Sequence, residues 1–210
     1  MSMSFQDEER LKAKKQLEQM KENAEQKQEE ERGSIYDEYI EFMGIKSTFS
    51  RQRIANLPCS MYMPEQFEVL SEEDKEILFV RTKSPQCAYA SDELPFSMAV
   101  NVAESPLKDE EIRKFLNVSG KLIEAMVPKA NIVRTYMTGT ENFHVGNVEF
   151  LSMGLDGMIY NLMLFVSVNE KLTVINMSTN NDVKKYTLPI MKEMAESIQL
   201  EEIEDGEDNV

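Results

Sequence analysis

One histidine, two cysteines and no tryptophan stand in a chain of 210 residues. With His144 alone, neither a histidine-based zinc site nor an array of histidines and carboxylates can be assembled. Cys59 and Cys87 lie far apart and spell no CxxC pair, so zinc-knuckle and dithiol redox motifs are also missing. One disulfide between them can be drawn, but two reduced, buried thiols suit a cytosolic chain better. Basic charge is scarce too. Against 38 Asp and Glu stand 23 Lys and Arg, for a net charge of -15. Nucleic acid and anionic membranes both reward a basic face, so neither is expected as a partner. The opening MSMSFQDEERLKAKK lacks the apolar core of a secretory signal, which points to a cytoplasmic protein.

A long apolar run is likewise absent. The richest stretch, Gly157–Ser178, is interrupted by Ser167, Asn169, Glu170 and Lys171. That falls short of the ~20 uninterrupted residues of a spanning helix, so membrane insertion is not expected. Its β-branched and aromatic content instead predicts strands over 158–168 and 172–178, joined by Asn169-Glu170-Lys171. Asp156-Gly157 tolerates the positive φ angles of a hairpin and links a strand over 147–155, completing an antiparallel meander. In 158–168 both alternating sets are largely apolar: Met158, Tyr160, Leu162, Leu164 and Val166 on one side, Ile159, Met163 and Phe165 on the other. Two-sided burial of the sheet follows, at least near its centre.

Elsewhere the pattern divides the chain into four parts. Residues 1–33 are nearly all charged or small helix formers, with i,i+4 pairs such as Glu8–Lys12 and Lys21–Glu25, and predict a charged helix. Within 34–56, Ile35, Tyr39, Phe42 and Met43 share one face of a short helix, and 45–58 reads as a linker. The domain over 57–200 opens with a strand at 59–63, continued at 67–70. Ser71-Glu72-Glu73-Asp74 resembles a capping box and opens a helix to about Phe79. A hairpin spans 86–90 and 96–103. Asp109 can cap a helix over 110–127, with Ile112, Phe115, Leu116, Ser119, Ile123 and Met126 facing inward, ended by Pro128. A strand at 132–140, the meander, and a helix from Asp182 to Ile198 follow. Residues 201–210 are acidic and read as a solvated, disordered tail. Strands in runs with helices at the breaks define an α+β domain with a mostly antiparallel sheet.

With these elements in place, residues 57–202 resemble the Mog/PsbP-like family, which includes Ran-binding proteins of the Mog type, the PsbP subunit of photosystem II and bacterial DcrB-like domains of unknown function. The resemblance is carried by LPCSMYMPEQFEVL at 57–70, SPQCAYASDELPFSMAVNVAESPL at 84–107, FHVGNVEFLSMGLDGMIYNLMLFVSVNEKLTVINMST at 143–179, and ESIQL at 196–200. In this family Gly146 would correspond to the glycine that opens the meander and Ser197-Ile198 to the end of the terminal helix. No lipoprotein or transit signal of such proteins is present. The resemblance implies an α/β/α sandwich and a binding or assembly role. Some bacterial relatives act as chaperones that shield hydrophobic segments of secreted effectors.

Chemistry is sparse beside this pattern. Asp156 is explained by its turn, and GTENFHVG at 139–146 has no lysine and no following helix, so it is no phosphate loop. Ser119-Gly120 lacks the GxSxG context of a nucleophile elbow. His144 near a strand start is a lone base without a recognisable partner residue. The carboxylates at 72–76 and 109–111 fit helix first turns, or an acidic patch for a basic partner. No residue is assigned a catalytic, cofactor-binding or metal role, and no cofactor is expected. Fifteen methionines remain. Met61, Met63, Met98, Met137, Met153, Met158, Met163 and Met177 fall in strands as core, and any that line an open sheet face would suit a hydrophobic peptide or helix. The leading reading is a non-enzymatic module that binds another protein as a chaperone or adaptor. The alternatives are a small-molecule or enzymatic domain with His144 among its candidate polar groups, and self-association through the N-terminal helix.

Overall fold

The computed structural model describes residues 33–79 and 84–201. In chain order its strands are β1 (Ile40–Phe42), β2 (Ile45–Ser47), β3 (Phe49–Arg53), β4 (Cys59–Pro64), β5 (Glu68–Val69), β6 (Cys87–Ala90), β7 (Phe96–Pro106), β8 (Asn131–Thr140), β9 (Phe143–Met153), β10 (Met158–Val168), β11 (Lys171–Asn180) and β12 (Gln199–Leu200). The helices are α1 (Glu72–Leu78), α2 (Ile112–Met126), preceded by a 3₁₀ turn at Asp109–Glu111, and α3 (Lys184–Glu196).

Seven strands form an antiparallel sheet in the order β5-β6-β7-β11-β10-β9-β8. Its centre is the expected meander, and the turns set its register. Val168 opposes Lys171, so the β10–β11 loop is only Asn169-Glu170, both at positive φ (52° and 55°). That is the two-residue geometry whose twist matches the flanking strands. At the β8–β9 turn Gly139 sits at φ 99°, where an added Cβ would lie 2.1 Å from the Phe143 carbonyl oxygen, so only glycine fits.

Each side of β10 belongs to a separate core. Leu162, Leu164 and Val166 join Val145, Ile175 and Met177 beneath Ile190, Met191 and Met194 of α3 and Met61 and Met63 of β4. Phe165 joins Val148 and Phe150 beneath Leu116 and Ile123 of α2. The layers are therefore α2, the seven-stranded sheet, and a third layer of α3 with the small sheet β12-β4-β3.

Several expectations are corrected. No helix forms over 35–43. Ile40 and Phe42 are buried while Glu41 is exposed, a two-residue period, and Phe42 opposes Ile45 across Met43-Gly44, both at positive φ. The apolar residues thus sit in a tight hairpin, with Tyr39 and Met43 left exposed. The stretch 45–58 is not a linker: β2 and β3 lie in it, and β3 pairs with β4. Residues 67–70 do not continue β4, because β5 crosses to the large sheet and pairs with β6. Met126 is 73% exposed rather than inward-facing. Of the strand methionines, Met61, Met63, Met98 and Met177 are fully buried, Met137, Met158 and Met163 partly so, and Met153 is exposed. The helix expected over 1–33 and the tail expected over 201–210 lie outside the described residues, apart from Gly33 and Glu201.

Leu162 has no solvent exposure in the first core. Leu162→Ala is expected to cost about 3 kcal/mol in urea-induced unfolding, from lost transfer energy plus a cavity. Met153→Ala, at an exposed site, should stay within about 0.5 kcal/mol.

Candidate functional site

The residues singled out for chemistry are dispersed by the fold. Ser119 is fully buried on α2 and donates its hydroxyl to the Leu116 carbonyl, a local bond with no neighbouring base. Asp156 lies in the four-residue loop of β9–β10, closed by Gly154 N–H donating to the Gly157 carbonyl at 2.7 Å. Asp109 is not the cap expected of it. Its carboxylate reaches across to the start of β9, where one oxygen accepts the backbone N–H of His144 at 2.8 Å and the other meets His144 Nδ1. His144 thus gains a partner that the sequence did not reveal. The pair is partly exposed and ties the entry of α2 to the central sheet.

A buried polar cluster went unnoticed in the sequence. It lies on the α3 side, where Glu149 of β9 and Tyr160 of β10 are 3% and 2% exposed. The Tyr160 hydroxyl donates to Glu149 Oε2, and Lys192 Nζ of α3 stands 3.2 Å from Oε1. Lys184 sits over the Tyr160 ring at 4.5 Å, and Arg134 over the Tyr136 ring at 4.6 Å. Burial alone would raise the Glu149 carboxyl, but the Tyr160 hydroxyl and the Lys192 ammonium outweigh it and hold the group below its ordinary value. Burial pushes the Tyr136 and Tyr160 phenols upward, and the Glu149 charge adds to both. The only sequence signal is a carboxylate inside an apolar strand, and Glu149 was not singled out there.

The opposite side of the sheet has a different character. α2 runs over β8 and β9, where a Cβ added to Gly120 would lie 3.6 Å from Ile132, and Phe115 is edge-on to Phe165 of β10 with ring centroids 5.1 Å apart. Phe115, Val118, Leu122 and Met126 are spaced 3, 4 and 4 residues apart, so they share the flank that faces β10 and β11. Val118 and Leu122 are 56% and 47% exposed. Beneath that flank Met163, Leu172 and Val174 are only partly covered. Further along, Asn161 bonds Ser152 (2.9 Å), Asn176 (3.2 Å) and Ser178 (3.0 Å), forming a polar floor across β9, β10 and β11. The result is an apolar wall over a half-covered sheet.

The Glu149 cluster has a pH signature. A carboxyl lowered in the folded state contributes stability above its unfolded value of 4.5, and that contribution is lost as pH falls through the folded value. Phenols raised in the fold stabilise below 10.0, the ordinary value, and the advantage is lost as pH climbs past it. Glu149→Ala should cost about 3 kcal/mol at neutral pH, because it strands the buried side of Lys192 and Tyr160. The gap to wild type should narrow below pH 4.5 when urea unfolding is repeated there. A gap that stays constant with pH would remove Glu149 as the group responsible.

No family model matches the chain, and no curated protein matches it. Solved structures do. The solution structure of CyanoP, the cyanobacterial PsbP of Synechocystis sp. PCC 6803, aligns over 76% of this chain and 96% of its own, with a TM-score of 0.54 and 11% identity. LpqN of Mycobacterium tuberculosis, described as involved in cell envelope biogenesis, aligns over 74% of this chain and 91% of its own, with a TM-score of 0.47 and 9% identity. The strand order and the helices on either side of the sheet, together with the CyanoP match, establish a PsbP-like α+β fold for this chain.

Proposed function

We propose that this chain is a non-enzymatic protein-interaction module, a cytoplasmic accessory factor of the chaperone or adaptor type. It holds an apolar segment of another protein on the α2 side of the sheet. The observation that carries this reading is the exposed row Val118, Leu122 and Met126 above partly covered Met163, Leu172 and Val174. Methionine at both levels suits an adaptable surface, since its unbranched side chain refits to different partners. The titratable cluster also supports it. A general acid or base works best with a pKa near the operating pH, whereas Glu149 is displaced downward and Tyr136 and Tyr160 upward. The likeness to CyanoP lends the fold and nothing about a partner.

A second reading, a small-molecule or enzymatic domain, draws on the His144–Asp109 pair, since a carboxylate beside an imidazole orients it. A metabolite that raises the melting temperature of wild type but not of His144→Ala would favour that reading over the first.

The first reading is tested with Val118→Asp/Leu122→Asp, which alters exposed positions only. The wild-type chain should retain a stoichiometric protein from its source cytosol, and the double variant should lose it while its circular dichroism is unchanged. A partner held equally by both would place docking elsewhere.

A further inference from the structure

The exposed row on α2 has charge of one sign around it. On a helix each residue adjoins those three and four positions away. Val118 therefore adjoins Phe115 and Leu122 on the side of β10, and Lys114 and Lys121 on the side of solvent. Leu122 adjoins Val118, Ser119, Ala125 and Met126, none of them charged. Met126 adjoins Leu122 and Ile123 within the helix, and the next charged residue along the chain is Lys129. No acidic residue holds any of these positions. Of the acids nearby, Glu111 accepts the Lys108 N–H at 3.0 Å, while Glu110 and Glu124 lie on the far side of the lysines from Val118. In a chain of net charge -15, the row is bordered by cations. Lys114 and Lys121 are exposed, and among the described residues neither forms an ion pair. The floor below, Asn161, Asn176 and Ser178, carries no charge to neutralise them.

We propose that the occupant of this surface is an acidic amphipathic helix of a partner protein, laid along α2 with apolar residues on Val118 and Leu122 and carboxylates on Lys114 and Lys121. The inference rests on the docking role proposed above and adds the partner's chemistry to it. Charge decides between occupants. A basic segment would set like charges together at the rim, and a neutral one would leave both ammonium groups unpaired. Carboxylates meet them there, where complementarity governs the encounter rate and the choice of partner. Spacing sets the form. Lys114 and Lys121 are seven residues apart, about 10.5 Å along the helix axis, and a second helix presents two carboxylates at that interval from positions that are likewise seven apart. Its apolar residues between them meet the row, as when a helix lies in a groove. Nucleic acid and anionic membranes also carry negative charge, but the rest of this acidic chain repels such extended surfaces. The chain's own ends start elsewhere. Ser34 donates to Glu193 of α3 at 2.7 Å, and the Glu201 N–H donates to the Pro58 carbonyl beside β4 at 3.0 Å. Residues 1–32 and 202–210 therefore depart from the opposite side of the sheet.

The probes are two labelled synthetic peptides of about 18 residues, long enough to form a helix. Both carry leucines on one face; one has two Glu and the other two Lys, seven positions apart, on the flank. By fluorescence anisotropy with the full chain, the Glu peptide should bind about tenfold tighter than the Lys peptide at low salt, and added salt should shrink the gap. Lys114→Glu/Lys121→Glu should reverse the preference, and Val118→Asp/Leu122→Asp should lose both peptides. All four positions are exposed, and circular dichroism checks that each variant is folded. Equal binding of both peptides that disappears in Val118→Asp/Leu122→Asp overturns the acidic partner and leaves the docking surface standing. So does a preference for Glu that survives the reversal of both lysines. Binding of neither peptide, or binding that ignores Val118→Asp/Leu122→Asp, removes the surface itself. Displacement of the Glu peptide by an equal concentration of a peptide of residues 1–32 or 202–210 would name the chain's own end as occupant and overturn the partner.

Discussion

The fold rests on the two-sided burial of β10. A strand that is apolar on both faces cannot be satisfied by one layer, because each face left in water costs about 25 cal/mol for every Å² of apolar area. Leu162, Leu164 and Val166 require α3 and the small sheet on one side, and Phe165 requires α2 on the other. Once those two layers are fixed, the rest follows. β9 and β11 flank β10 over eight and ten paired residues and extend its two faces sideways, which gives α2 and α3 surfaces wide enough to pack on. The small sheet β12-β4-β3 closes the third layer, and β12 arises directly after α3, so the helix and that sheet are positioned together.

Register in such a sheet must be held against slippage, since a shift by one residue exchanges the two faces of every strand. Two adjacent residues of β10 supply polar markers, one on each side. Tyr160 is bonded to Glu149 beneath α3, and Asn161 to Ser152, Asn176 and Ser178 on the α2 side. A slip would bury the Glu149 charge away from Lys192 and set Asn161 against hydrophobic side chains. Both are costly in a medium of low dielectric constant. The markers differ in kind because their surroundings do. The side closed by α3 holds a charge beside its counter-ion, Lys192, whereas the half-open side carries neutral amides and hydroxyls.

Much of this was legible in the sequence where periodicity and turn chemistry agree. The meander, with Asp156-Gly157 and Asn169-Glu170 at its corners, and the capping box at Ser71 belong to that class; Ser71 Oγ does accept the Asp74 N–H at 3.2 Å. The hairpin at 40–47 was hidden because Ile35, Tyr39, Phe42 and Met43 happen to be spaced as on a helix, and the turn is carried by Met43, a residue seldom found at positive φ. The reach of β5 into the large sheet was hidden for another reason: a two-residue strand has no period to read. The Asp109–His144 contact joins residues 35 positions apart, and the Glu149 cluster gathers side chains from β8, β9, β10 and α3. Such sites exist only after the sheet forms, and no local pattern announces them. The exposed flank of α2 was partly visible. Leu116 and Ile123 were correctly placed inside, yet Met126 was counted with them, and it lies in the last turn of α2 at 73% exposure.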